Sequence, residues 1–186
     1  MVIRSGFKQT DVGVIPKEWD TFALGELLYS MQLGGNYRNS ERRSNWPLIK
    51  MGNLGRSKIK LDKLEFIDLS HLPNPKDRLY EDDVLFNTRN TLELVGKVAI
   101  WRNELNEAYF NSNIMRMSFN ESCVSSSRFM NYILNTPSSI SKLYSIATGT
   151  TSVAAIYSRD LIKLRIPLPS KAEQKSIAGA LSDADT

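Results

Sequence analysis

The sequence predicts an α+β domain: a mixed, mostly antiparallel sheet, flanking helices and a C-terminal helix. Three observations carry this expectation. Between residues 48 and 119, short apolar runs are broken by Asn, Asp, Gly and Pro, the pattern of short strands joined by turns. Between residues 126 and 149 the apolar spacing changes to that of two helices in succession. After "IPLP", Ser170 and Glu173 have the S-x-x-E spacing of a capping box, and Ile177, Leu181 and Ala184 follow at i, i+4 and i+7. At 186 residues, 41% apolar and 24% charged, the chain suits one domain with a real core.

Element by element, Met1 to Asp11 is polar and is expected to be loose. "GVIPKEW" (13–19) reads as an extended arm, because Pro16 steers Ile15 away from the helical region, and Trp19 is expected to anchor it in the core. "LGELLYSM" (24–31) places Leu24, Leu27, Leu28 and Met31 on one helical face, ended by Gly34 and Gly35. Asn36 to Asn45 reads as a loop.

Strands are predicted at Leu48–Met51, Glu65–Leu69, Val84–Phe86, Gly96–Trp101 and Asn113–Phe119. In the last, Met115, Met117 and Phe119 alternate with Arg116 and Ser118. "SSRFMNYILN" predicts a helix with a face of Phe129, Tyr132 and Ile133. "PSSISKLYSIATG" predicts a second with Ile140, Leu143, Tyr144 and Ala147, and Gly149 just past its end. "LIKLRIPL" (161–168) alternates as a strand, at an edge because Pro167 cannot donate to a ladder.

Several function classes find no support. No run of 18 apolar residues, the length a membrane span needs, occurs, and the N-terminus lacks the apolar region of a secretory signal. Cys123 is the only cysteine, which excludes an internal disulfide and fits the cytoplasm. His71 is the only histidine and lies in a proline-bearing loop, so neither a Ser-His-Asp triad nor a Cys/His metal set is suggested. Glycine-rich phosphate loops are absent, and "NTPS" (135–138) is only a partial echo of a methyltransferase loop. No cofactor is expected. Asp160 with Glu173-Gln174-Lys175 imitates the D…E-x-K pattern of metal-dependent nucleases, although Glu173 falls in the first turn of a helix.

Charge is sided. The net charge is +4. From Asn36 to Lys60, seven basic residues (Arg38, Arg42, Arg43, Lys50, Arg56, Lys58, Lys60) face only Glu41, a net of +6. From Leu61 to Asp83, seven acids face Lys63, Lys76 and Arg78, a net of −4. A basic block beside an acidic one suits anion binding, and equally two solvated loops that balance each other.

Three loops carry binding chemistry. The first holds Lys50, Asn53, Arg56 and Lys58; the second Asn87, Thr88, Arg89, Asn90, Thr91 and Lys97; the third Thr148, Thr150, Thr151 and Ser152. Arg and Asn can read guanine and adenine edges in pairs of hydrogen bonds, and hydroxyls suit phosphates. Each loop also reads as an ordinary turn, since turns favour Asn, Gly and Thr. Three such loops without a catalytic set point to nucleic-acid binding.

The chain resembles the DNA-specificity (S) subunit of type I restriction–modification systems. The resemblance covers nearly the whole sequence. It is carried by "GVIPKEWDTFALGEL" (13–27), "PLIKMGNL" (47–54), "YEDDVLFNTRNTLELVGKVAI" (80–100) and, most specifically, "TGTTSVAAIYSRDLIKLRIPLPSKAEQKSIAGAL" (148–181). Glu81 replaces a usual glycine, and Ser170 a usual proline. The resemblance implies one target recognition domain, residues 1–169, followed by the start of a spacer helix, residues 170–186. It further implies double-stranded DNA as ligand at Lys50, Asn53, Arg56, Lys58, Asn87, Arg89, Asn90, Thr91, Lys97, Thr150, Thr151 and Ser152. Methyltransferase and restriction subunits would carry the chemistry, leaving this chain non-catalytic. Glu173, Gln174, Ile177, Leu181 and Ala184 would face a partner, either the methyltransferase subunit or a second copy. A metal-dependent nuclease and a protein-interaction module that binds no DNA remain the rival readings.

Overall fold

The computed structural model describes residues 4–70 and 72–184. Its centre is an antiparallel sheet of four strands. These are β4 (Leu28–Leu33), β8 (Val84–Asn87), β10 (Val98–Ile100) and β12 (Ile114–Phe119), in the order β10-β8-β12-β4. The sheet is buried on both faces. Val84, Phe86, Val98, Ile100, Met115 and Met117 join the larger core, whereas Leu85, Ala99, Trp101 and Ile114 join a second one. The period-2 geometry of a strand produces this division, because successive side chains point to opposite faces.

Helices cover the first face. α2 (Ser127–Leu134) starts at Ser126, whose hydroxyl accepts from the Phe129 amide at 3.1 Å. α3 (Pro137–Ser145) starts at Thr136 with proline in its first turn. Phe129, Met130, Leu134 and Leu143 are buried in the larger core. The second face packs on a mixed sheet ordered β11-β6-β7-β5: β5 (Asn39–Ser40), β6 (Pro47–Ile49), β7 (Glu65–Ile67) and β11 (Tyr109–Phe110). β11 and β6 run parallel; every other strand pairing is antiparallel.

Three small sheets finish the domain. β1 (Phe7–Thr10) and β2 (Gly13–Pro16) form a hairpin. β3 (Asp20–Ala23) pairs with β15 (Arg165–Leu168). β13 (Thr148–Gly149), β14 (Ala154–Ala155) and β9 (Arg89–Asn90) form the third. Single turns α1 (Leu24–Leu27) and α4 (Ser158–Leu161) link strands, and α5 (Lys171–Ala184) ends the chain.

Four expectations are corrected. Phe7–Thr10 is not loose but paired with β2, while residues 1–3 lie outside the described residues, as does His71. The helix expected over 24–31 stops after one turn, where Glu26 accepts from the Ala23 amide. Leu28–Leu33 is then a strand, drawn into the central sheet by β12. Its register steps from Ser30↔Ser118 to Leu28↔Phe119, leaving Tyr29 as an extra, 82% exposed residue. That bulge turns Leu28 and Met31 toward the same core, which imitates helical spacing.

The remaining two concern α3 and β15. Tyr144 is 56% exposed rather than on the buried face of α3, and Gly149 lies in β13, beyond the helix end. Residues 161–164 close the α4 turn, so the strand begins only at Arg165; its Pro167 does lie in a two-stranded sheet, where both strands are edges. The expected α+β class with mostly antiparallel pairing is borne out, its strands divided among five sheets in the described residues.

Candidate nucleic-acid interface

The β8–β10 hairpin presents a ten-residue loop, 88–97, at the end of the central sheet. Asn87 closes its base. The Asn87 amide donates to the Lys97 carbonyl, the Gly96 amide donates to the Asn87 carbonyl, and the buried Asn87 side chain donates to Leu94 O at 3.4 Å. Gly96 has φ +76°, and a Cβ there would come within 2.9 Å of Ile156, so glycine is needed. Thr88 is fixed through its amide and hydroxyl to Asn113 O, while its own carbonyl accepts from Ile156.

β9, the first part of this loop, holds Arg89 and Asn90 in register with Ala155 and Ala154. β14 in turn pairs with β13, and the turn between them carries Thr150, Thr151 and Ser152, all exposed. Thr150 stabilises the turn, because its hydroxyl accepts from the Val153 amide at 3.2 Å. Thr151 O accepts from Leu92, tying this turn to the hairpin loop. Beyond β14, Arg159 lies over the Tyr157 ring at 5.2 Å, and both are exposed. Thr88, Arg89, Asn113 and Tyr157 line an open cleft of about 310 Å³.

The 54–60 loop docks on the other side of the hairpin. Leu54 and Ile59 bridge its ends, and the Ser57 amide donates to Val98 O at 2.7 Å. Ser57 has φ +69°, an unusual region for serine that costs on the order of 1–3 kcal/mol. Asn131 of α2 supports it through a 2.6 Å bond to the Ser57 hydroxyl. Arg56 and Lys60 thereby lie near Lys97. Burial lowers the Lys97 pKa from the ordinary lysine range, and the nearby Lys60 and Arg56 charges lower it further. Burial also lowers the Arg56 pKa.

Five acids of the acidic block, Glu65, Asp77, Glu81, Asp82 and Asp83, are engaged within the fold. Asp83 accepts from Arg116 at 3.0 Å, Asp82 and Glu81 pair with Arg128, and Glu65 pairs with Lys50 at 2.8 Å. Asp77 is buried and accepts from Gln32 and Tyr37. Arg56, Lys58, Lys60, Arg89 and Lys97 form no ion pair among the described residues. The fold therefore resolves the two charge blocks differently: acids hold the scaffold, and cations remain uncompensated around one hairpin.

Residues 16–186 match the family model of the type I restriction modification DNA specificity domain. The chain belongs to that family. It is 29% identical over 180 residues to the type I restriction enzyme MjaX specificity subunit of Methanocaldococcus jannaschii, covering 96% of this chain and 42% of that protein. Solved structures share the fold of this specificity domain. The S subunit from M. genitalium superposes with a TM-score of 0.63 at 14% identity, over 100% of this chain and 41% of that one. The HsdS subunit from Thermoanaerobacter tengcongensis gives 0.59 at 17%, over 96% and 40%. The chain thus spans about two fifths of the length of the relatives it matches.

Within the specificity domain, the expected DNA-facing residues separate into two groups. Arg56, Lys58, Arg89, Asn90, Thr91, Lys97, Thr150, Thr151 and Ser152 gather around the hairpin loop. Asn53 and Asn87 are buried scaffold residues: Asn53 accepts from the Lys50 amide and donates to Lys60 O and Lys63 O. Lys50 bonds Asn39 and Glu65. Sequence reasoning missed Lys60, Tyr157 and Arg159. The last two sit two residues apart in "IYSRD", an aromatic–basic pairing that was legible in the sequence.

The C-terminal helix of the specificity domain turns part of its expected partner face inward. Gln174 is fully buried: its side chain accepts from the Ser125 amide and donates to Cys123 O and Pro169 O. Glu173 accepts from the Trp19 indole at 3.1 Å instead of completing a capping box, although Ser170 Oγ does accept from the Glu173 amide. Trp19 meets Phe129 edge-on, with centroids 6.4 Å apart. Ile177, Leu181 and Ala184 line an open apolar groove of about 440 Å³ with Trp19, Phe129 and Ile133. Asp160, of the nuclease-like pattern, lies on α4 and pairs with Arg159 and Lys163, whereas Glu173 lies on α5 and accepts from the Trp19 indole. No group of three or more His, Cys, Asp or Glu that could hold a metal occurs among the described residues. Nor is any helix among them long and apolar enough to cross a membrane.

Proposed function

We propose that this domain recognises one half of a bipartite double-stranded DNA site within a cytoplasmic type I restriction–modification complex. It would dock methyltransferase and restriction subunits that carry the chemistry. The observation that supports DNA contact is the basic and hydroxyl-rich rim of the 88–97 hairpin, which the Thr150–Ser152 turn meets at Leu92 and the 54–60 loop meets on its other side at Val98. In this reading Arg89, Asn90, Tyr157 and the Thr150–Ser152 turn make the groove contacts, supported by their exposed or half-exposed positions. Asn53 and Asn87 serve as supports that set the loop shapes. The exposed half of α5, with Leu181 and Ala184, is the surface for a methyltransferase subunit or a second copy of this chain.

Fluorescence anisotropy with a labelled duplex tests the reading. Binding should weaken as salt rises, with a log–log slope of about −0.9 per phosphate neutralised. Failure to bind duplex at low salt would favour the protein-interaction reading.

A further inference from the structure

We infer that Arg56, Lys60 and Lys97 converge on one backbone phosphate of bound duplex, forming an oxyanion site distinct from the base-reading surface. This deepens the DNA-recognition reading and rests on it. The geometry begins with the Ser57 amide bond to Val98 O, which puts Arg56 beside Lys97, two segments forty residues apart in sequence. The stem of Lys60 lies over Gly55, where a Cβ would be 3.4 Å from its Cε and 2.8 Å from Lys58 O. The tight 54–60 loop therefore delivers both cations to the same place.

Three features of this cluster ask for an anion. Arg56 Nη1 is buried and has no hydrogen-bond partner, although buried donors are nearly always satisfied. No ion pair neutralises the three cations among the described residues, and the mutual repulsion felt at Lys97 is what a bound oxyanion would relieve. Ser57 holds a left-handed backbone conformation that two hydrogen bonds keep in place, so the loop is fixed before a ligand arrives. A phosphate supplies oxygens for one guanidinium and two ammonium groups at once. Glu93 opposes this repulsion at Lys97 less than either Lys60 or Arg56 produces it.

The test compares the full chain with its Lys60→Gln/Lys97→Gln variant, using a duplex of arbitrary sequence across a salt series. Neither lysine donates a side-chain hydrogen bond among the described residues, and the variant relieves like-charge repulsion, so the unfolding midpoint should not fall; Lys60→Gln alone, at an exposed position, serves if the pair does not fold. The proposal expects the salt slope to shallow by about 0.9, one phosphate's worth. It also expects the ranking of duplex sequences to be unchanged. An unaltered slope with duplex still bound overturns the phosphate site while leaving DNA recognition standing. If wild type binds no duplex, both fall. Inorganic phosphate, titrated against chloride at equal ionic strength with Lys97 followed by NMR, separates the sources. Saturation by free phosphate without any slope change would assign the site to a soluble anion and overturn its role on DNA.

Discussion

Arg116 Nη1 donates to Asp83 Oδ2 at 3.0 Å, and this pair ties the middle of β12 to the turn before β8. The same guanidinium donates to Arg78 O and Lys76 O and to Gln32 Oε1. Gln32 continues to Asp77, which also accepts from Tyr37. An arginine in the polar phase of an alternating strand thus ties two loops, 76–78 and the turn at Asp83, to strand β4 rather than facing water. Arg116→Ala leaves Asp83 without its cation and takes a donor from the Arg78 carbonyl, while the Lys76 carbonyl keeps the Gln32 side-chain amide. The expected loss is about 3 kcal/mol, near the lower end for breaking a buried pair and scaled to its part-exposed geometry. Urea unfolding, read as a midpoint shift at constant slope, measures it.

The phenols of this region make stability fall at high pH. Burial, and then a hydrogen bond to a carboxylate, push Tyr37 and Tyr109 up to about 12, through Asp77 and Glu107 respectively. A phenol unfolded in water titrates near 10. The folded state holds the proton more tightly, so this contribution is complete below pH about 10 and is lost as pH rises through about 12. Tyr37→Phe should be less stable at neutral pH yet lose less of its stability between those limits. Unfolding midpoints along an alkaline series decide it; parallel curves for both proteins would refute the assignment.

At the hairpin, Arg89→Ala should weaken duplex binding by about 1–3 kcal/mol if Arg89 makes a paired contact to a base. Lys175→Ala, on α5, should leave affinity within experimental scatter. Anisotropy titrations at one salt concentration compare them directly. A larger effect at Lys175 would place the DNA on the opposite side of the domain.

Leu181→Asp should reduce association with a methyltransferase subunit or a second copy, with little effect on folding, because Leu181 is 41% exposed. Ile177→Asp should reduce association and also lower stability, since Ile177 packs against the larger core. Sedimentation velocity, alone and with the methyltransferase subunit, separates the two effects. Wild-type assembly by Leu181→Asp would make α5 an internal prop only.

The sequence by itself determined the elements whose signals are local. The apolar spacing of α2 and α3 announced two successive helices, and Ser170 announced the start of α5. Strands β8, β10 and β12 were legible because their apolar runs end at turn residues. The family was legible too, in the motif that runs into the last helix. Only the tertiary structure decided that Leu28–Leu33 is a strand, since pairing with β12 outweighs a helical spacing that a bulge at Tyr29 imitates. It alone decided which charges are free. Asn87 and Arg89 share one segment, yet one closes the base of a loop and the other faces water. Composition cannot separate them, because burial and pairing depend on chain segments that meet only after folding.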